Sequence, residues 1–292
     1  MAHNHSHDHS STKNLKLAFW MNLGFSIFEI IGGIYVNSVA IISDAIHDLG
    51  DSLSLGSAWY LEKKSKQSAD KKFSFGYARY SLLGALINSL ILMVGSGFVI
   101  YAAIDRLIYP EDSDALGMIA FAVVGVIVNG IVVLRMRSST KLNERVVFWH
   151  MLEDVLGWVA VLIAAIVIYF YPTPYIDPIL SLAITAYILY GVIGRLKETL
   201  YFFLQGMPKE IDLSKIRKEI INLPNVQSMH HTHCWSLDGE NHVFTTHLKL
   251  EHINKFDEII EVKDKVKTIL KDNQFSHYTV ETELDKEKCS FS

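Results

Sequence analysis

The sequence predicts an α-helical membrane protein, six transmembrane helices followed by a cytoplasmic α/β domain of order αββαβ. Three observations carry this reading. Apolar stretches of about 20 residues or more recur between Leu15 and Tyr201, and a span of about 20 apolar residues matches the ~30 Å hydrocarbon core of a bilayer. From Pro208 onward the composition becomes that of a soluble domain rich in Lys, Glu and His. Two of the apolar stretches carry the same polar pattern, a histidine and an aspartate four residues apart: His47 and Asp51 in SDAIHDLGD, and His150 and Asp154 in HMLED. The expected domains are a His-rich tail over 1–13, a six-helix transmembrane domain over 14–206 and a cytoplasmic metal-binding domain over 207–292.

Composition narrows the function. The chain has 292 residues, is 50% hydrophobic and carries a net charge of −4, and its basic residues sit in loops rather than in a stripe, which argues against a nucleic-acid partner. Its two cysteines, Cys234 and Cys289, give no disulfide framework and suit a reducing, cytosolic setting. The first dozen residues are polar and the first apolar stretch is long, so no cleavable leader is expected. The N-terminal tract alternates His3, His5, His7 and His9 with small polar residues; such a tract cannot build a core, and it reads as weak metal capture or as a disordered leader.

Taken in order, the first span runs from about Leu15 to Val36 and holds Asn22 and Glu29, whose carboxylate should face the bundle interior. A tight turn at Asn37-Ser38 leads to the second span, about Ser38 to Tyr60, with the first His/Asp pair. A basic loop follows, then spans of about Tyr80 to Ile108 and Ala115 to Leu134, a second basic loop, a fifth span from about Val146 to Phe170 opening with the second pair, and a sixth from about Ile176 to Tyr201. Short loops rich in Lys and Arg stay cytoplasmic. Basic loops after spans two and four, with both termini inside, satisfy every connection, and a bacterial inner (cell) membrane is the expected setting. In the soluble part, helical periodicity over 211–222, strands near Val226 to Trp235 and His242 to Leu250 around the turn SLDGE, a helix of about Phe256 to Lys271 and a strand of about Tyr278 to Glu283 give two helices on one face of a three-stranded sheet.

Residues four apart share one helical face, so each pair aims an imidazole and a carboxylate at one point. Spans two and five run in opposite directions; at 1.5 Å per residue His47 and Asp51 lie roughly 13 and 19 Å from the outer end, and His150 and Asp154 roughly 10 and 16 Å from the inner end. The pairs overlap in depth. Polar charge at that depth is a functional signal, and four N/O ligands suit tetrahedral Zn²⁺, with Co²⁺, Cd²⁺ or Fe²⁺ accommodated by a similar site. Asp44 and Asp48 fall near the same face, placed to orient His47. Two neutral imidazoles, two carboxylates and a divalent cation sum to zero charge, whereas the empty site carries −2 unless it takes up protons; metal and protons compete for these groups. The balance points to metal/proton antiport. In the soluble part, His230, His231 and His233 in MHHTHCW, His247, and His277, Glu281 and Glu283 alternate along neighbouring strands and can share a face, as a metal cluster or as a solvated polar surface.

Together these residues resemble the cation diffusion facilitator family, more closely its zinc-transporting members. The resemblance covers nearly the whole chain: HxxxD in the second and fifth spans, FGYAR entering the third, IDP at the start of the sixth and an HxHxW-like strand in the tail. It implies a homodimeric metal/proton antiporter, not an enzyme, that exports zinc from the cytosol, with His47, Asp51, His150 and Asp154 as the transport site and a cytoplasmic ferredoxin-like domain that binds metal at the dimer interface. His230, His247 and Glu283 match family positions for cytoplasmic ligands, with Glu281 where some relatives have His; His233 and His277 lie near them in sequence. Some relatives bind another metal in the loop after the second span through an Asp and two His; here Asp70 is kept, but Phe73 and Tyr77 stand at the other two places. A membrane metallohydrolase is the weaker alternative, because HExxH is absent and four protein ligands leave no open position for water. A membrane-bound metal sensor shares the tail features and leaves the membrane-centred pairs unexplained.

Overall fold

The computed structural model describes residues 8–136, 142–273, 275–284, 287 and 289. Six long helices come first: α1 (Asp8–Tyr35), α2 (Val39–Ser65), α3 (Tyr80–Ile108), α4 (Ala115–Met136), α5 (Leu142–Phe170) and α6 (Ile176–Phe203). The shortest has 22 residues, about 33 Å at 1.5 Å per residue. Among the described residues, four stretches are long and apolar enough to cross a membrane: Tyr80–Ile108, Ala115–Leu134, Met151–Phe170 and Ile176–Phe203. Among the described residues, α1 offers only the shorter apolar run Asn22–Tyr35. The physical reason lies in the sequence, since α2 carries Asp44, His47, Asp48 and Asp51 in its middle and α1 carries Asn22 and Glu29. Large apolar side chains such as Val94, Phe98, Leu134 and Ile163 stand exposed, a surface that water-facing proteins seldom carry so densely.

The chain forms two compact units, Met1–Leu61 with Gly84–Leu196, and Glu62–Leu83 with Lys197–Ser292. In the first, one buried cluster joins Val36, Ala40 and Ile41 to Met118, Ala122, Trp158, Val161 and Ala165. Close approach of α4 and α5 depends on Gly125, where an added Cβ would lie 2.1 Å from the Trp158 ring. The turn predicted at Asn37-Ser38 is present. Asn37 adopts φ 55°, a left-handed conformation that Asn tolerates better than most residues. Arg106 donates to the Asn37 carbonyl at 2.8 Å and Ser113 Oγ donates to the same oxygen at 3.0 Å.

The start of α2 is also held from outside. Ser38 acts as its N-cap, its hydroxyl accepting from Ile41 N at 3.2 Å. Asp177, in the first turn of α6 and 1% exposed, accepts from the Ser38 hydroxyl, from Val39 N at 2.7 Å and from Ala40 N at 3.3 Å. The first orphan N–H groups of α2 are thereby satisfied by a carboxylate, the charge that the positive end of a helix favours. The aspartate of the IDP motif is thus a cap for a different helix. Ser43 and Thr185 join the same two helices deeper down, 2.8 Å apart.

In the second unit, α7 (Leu213–Ile221), β1 (Val226–Ser236), β2 (His242–Leu250), α8 (Phe256–Asp272) and β3 (Phe275–Glu283) follow the expected order. The sheet order is β1-β2-β3. β1 pairs antiparallel with β2 as a hairpin, and β3 returns through α8 to pair parallel with β2, because parallel neighbours need a crossover. Ile216 and Ile220 of α7 and Val262, Val266 and Leu270 of α8 pack on Met229, Phe244, Leu248 and Leu250 of the sheet. Helix-facing and opposite-facing residues alternate along the strands, which leaves His247 on the face away from the helices. The loop between α2 and α3 belongs to this unit and is tied by Asp70, whose carboxylate accepts from Lys72 N at 2.7 Å, Phe73 N at 2.8 Å and the Tyr77 hydroxyl at 2.8 Å. These donors, Phe73 N foremost, hold the Asp70 carboxyl below its ordinary range. Asp70 is therefore engaged in a turn with Phe73 and Tyr77.

Candidate metal centres

Among the described residues, two clusters of ligand-type side chains emerge, one in each unit. In the helical unit, α2 presents Asp44, His47, Asp48 and Asp51. His47 Nε2 lies 3.4 Å from Asp51 Oδ2, the contact expected of residues four apart. Ligand atoms of His47, Asp48 and Asp51 fall within 4.8 Å of one another. The Asp48 backbone carbonyl accepts from Asn22 Nδ2 at 3.1 Å, which fixes this turn of α2 against α1. A cleft of about 500 Å³ is lined by Asp44 and His47 of α2, Glu153, Asp154 and Gly157 of α5, and Tyr187 of α6.

The structure thus brings His47, Asp51 and the buried Asp154 into one region of the bundle. Gly157 of α5 faces Asp44 of α2: a Cβ there would meet Asp44 Oδ1 at 3.7 Å, an ordinary contact distance. His150 lies on α5 one turn before Asp154; its side chain is outside the described residues, as are the whole of His3, His5 and His7 and the side chain of His9. Sequence spacing gave Asp44 only a supporting place, whereas the fold sets it on the wall of the cleft itself. Glu29, expected to face the interior, is 0% exposed.

In the sheet unit, His230 of β1 stands opposite His247 of β2, and His247 opposite Glu281 of β3. His247 Nδ1 lies 2.8 Å from Glu283 Oε1 and His247 Nε2 lies 3.5 Å from Glu281 Oε2. His230 Nε2 lies 3.3 Å from Glu283 Oε2. The hydrogen bond from His247 holds the Glu283 carboxyl below its ordinary range, so the carboxylate is ionised and His247 Nδ1 is the donor in this arrangement. Cys289 Sγ approaches the same Nδ1 at 3.8 Å. Ligand atoms of His230, His247, Glu283 and Cys289 all fall within 4.8 Å of one another.

The other expected residues are placed differently. A bulge between His230 and His233, with His231 at φ 48°, shifts the register by one, so that His233 stands opposite Thr245 rather than Phe244, on the sheet face of His247 but further along it. The His233 ring packs on His231 at 4.9 Å. His277 lies toward the opposite end of β3, its ring 5.2 Å from Phe75. Glu281 touches His247 through the ring nitrogen that faces away from Glu283. Cys289 joins this cluster with no local motif in the sequence to announce it.

Long apolar helices enclosing imidazole and carboxylate groups, joined to a small domain that gathers more of them on one sheet face, define a membrane protein built to handle cations. The family described as "Cation efflux transmembrane domain" matches residues 15–204, and the chain belongs to that cation efflux family. Relatives match over nearly the full chain. "Cation efflux system protein CzcD" from Alcaligenes sp. (strain CT14) is 33% identical, covering 97% of this chain and 91% of its own length. "Zinc transporter ZitB" from Pectobacterium atrosepticum is 32% identical over 100% of this chain and 92% of its own. The "Cadmium, cobalt and zinc/H(+)-K(+) antiporter" of Bacillus subtilis is 31% identical over 98% and 93%.

Proposed function

We propose that this protein exports divalent metal cations, Zn²⁺ foremost and with Co²⁺ and Cd²⁺ as further substrates, from the cytosol in exchange for protons. The observation that carries the reading is the convergence of His47 and Asp154 on one cleft of about 500 Å³ between α2, α5 and α6, with Asp51 3.4 Å from His47. His150, one helical turn from Asp154, completes a set of two imidazoles and two carboxylates. That set balances a divalent cation without net charge, and its empty state gains by taking up protons. Asp44 supplies an additional carboxylate on the wall, able to accept a proton or steady the incoming ion. The names of the zinc transporter and the cadmium, cobalt and zinc antiporter support the substrate class.

The same reading takes all six long helices as spans. α1 and α2 cross despite their polar residues because those residues face the interior of the bundle, where intramembrane ionisable groups are tolerated. Both termini lie in the cytoplasm, the sheet domain is ferredoxin-like and works there as a metal-binding module, and the protein acts as a homodimer in a bacterial inner membrane.

The test is metal uptake into proteoliposomes under an imposed pH gradient. Zn²⁺ flux is expected to follow the gradient, and Asp51→Ala and Asp154→Ala are expected to reduce it to background with folding intact. Flux that ignores the gradient removes the proton from the mechanism, and near-normal flux in either variant removes that residue from the site.

A further inference from the structure

We infer that Cys289 supplies a thiolate ligand that closes the sheet-domain metal centre, forming a four-donor His230–His247–Glu283–Cys289 site within a single chain. The inference rests on reading that domain as metal-binding and adds the ligand that decides its chemistry. Bonds of about 2.0–2.3 Å at tetrahedral angles put the donors of a zinc-like ion roughly 3.3–3.6 Å apart. The observed spacings bracket that range: His230 to Glu283 at 3.3 Å, His247 to Glu283 at 2.8 Å and Cys289 Sγ to His247 Nδ1 at 3.8 Å.

The two nitrogens of His247 divide the work. Nδ1 faces Glu283 and Cys289, while Nε2 faces Glu281 at 3.5 Å. A cation at Nδ1 requires the ring's single proton to move from Nδ1 to Nε2; in that tautomer Nε2–H would donate to Glu281, an arrangement that orients the ring and raises its basicity. Glu281 is thereby a positioning residue rather than a ligand.

Charge supports the fourth donor. His247 and Glu283 are 8% and 6% exposed. Two neutral imidazoles and one carboxylate leave a divalent ion at +1 in this buried place; a thiolate brings the sum to zero. The tail is shaped to deliver it: Leu284 N donates to the Glu287 carboxylate at 2.7 Å and Glu287 N donates to the Leu284 carbonyl at 2.8 Å, turning the chain back after β3. A sulfur donor favours Zn²⁺, Cd²⁺ and Co²⁺ over Mg²⁺, Ca²⁺ and Mn²⁺.

The experiment is Co²⁺ titration of the reduced full-length protein, in an Asp51→Ala/Asp154→Ala background that disables the helical site. Near-ultraviolet thiolate-to-cobalt charge transfer is followed alongside visible ligand-field absorption. The expected result is a charge-transfer band lost in Cys289→Ser and His247→Ala and kept in Cys234→Ser, because Cys234 packs against the domain core. Ligand-field absorption that needs His247 but has no charge-transfer band, or a band that survives Cys289→Ser, overturns the thiolate and leaves the metal-binding domain standing. Absence of any His247-dependent Co²⁺ signal overturns both.

Discussion

Cys234 and Cys289 share a domain, and their surroundings set them apart. Cys234 stands opposite Phe244 and packs on the helix-facing core, where burial pushes its thiol up to about 11. A thiol with a pKa raised from 9.0 to about 11 has its thiolate fraction at pH 8 cut from roughly a tenth to about a thousandth. Alkylation of Cys234 by iodoacetamide at pH 8 is therefore expected to run roughly 100-fold below a free thiol, and to accelerate about tenfold per pH unit up to pH 10, as followed by mass spectrometry; a rate like that of free cysteine refutes the burial argument. At this scale the sequence was legible where chemistry follows parity. His230, His247, Glu281 and Glu283 fall on one face because strands alternate. Cys289 was not legible, because its place depends on how the chain turns after β3; His233 and His277 share the same face, opposite Thr245 and Val243, but nearness in sequence does not reveal how far along the strands they lie from His247.

The element that matters most is α2, and its stability depends on another helix. Asp177→Ala leaves Val39 N, Ala40 N and the Ser38 hydroxyl without their buried acceptor. A buried donor left unpaired costs about 1–3 kcal/mol, so the variant is expected to lose several kcal/mol and to unfold roughly 5 °C or more below the parent. Asp177→Asn keeps one oxygen to accept and should fall between. Thermal unfolding of the detergent-solubilised protein measures both, and an unchanged midpoint in Asp177→Ala refutes the capping role. The extents of α3, α4 and α6 were readable from hydropathy to within a few residues. α2 began where expected but runs to Ser65, well past the predicted Tyr60, because Leu61, Glu62, Lys63, Lys64 and Ser65 continue the helix after the apolar run has ended.

At the scale of the whole molecule, hydropathy revealed two chemically distinct parts, and composition alone qualifies four of the six long helices as spans. The remaining two are those that place Glu29, Asp44 and Asp48 in the interior, and such residues lower the hydropathy by which a span is recognised. Topology supplies the check. In a background lacking Cys234 and Cys289, Ser113→Cys is expected to react with a membrane-impermeant maleimide added to intact cells, and Ser68→Cys only after the cells are opened. The same sidedness for both positions refutes the arrangement.

The cap on α2 also sets a lever. With its first turn bound to Asp177 and the preceding turn bound to Arg106, a tilt of α2 pivots near Val39; His47 lies about 12 Å along the axis and Ser65 about 39 Å. A swing of about 10° then displaces His47 by roughly 2 Å, comparable to one metal–ligand bond, and the far end by roughly 7 Å, more than one helical turn. Small adjustments at His47 become large excursions at the far end of the helix.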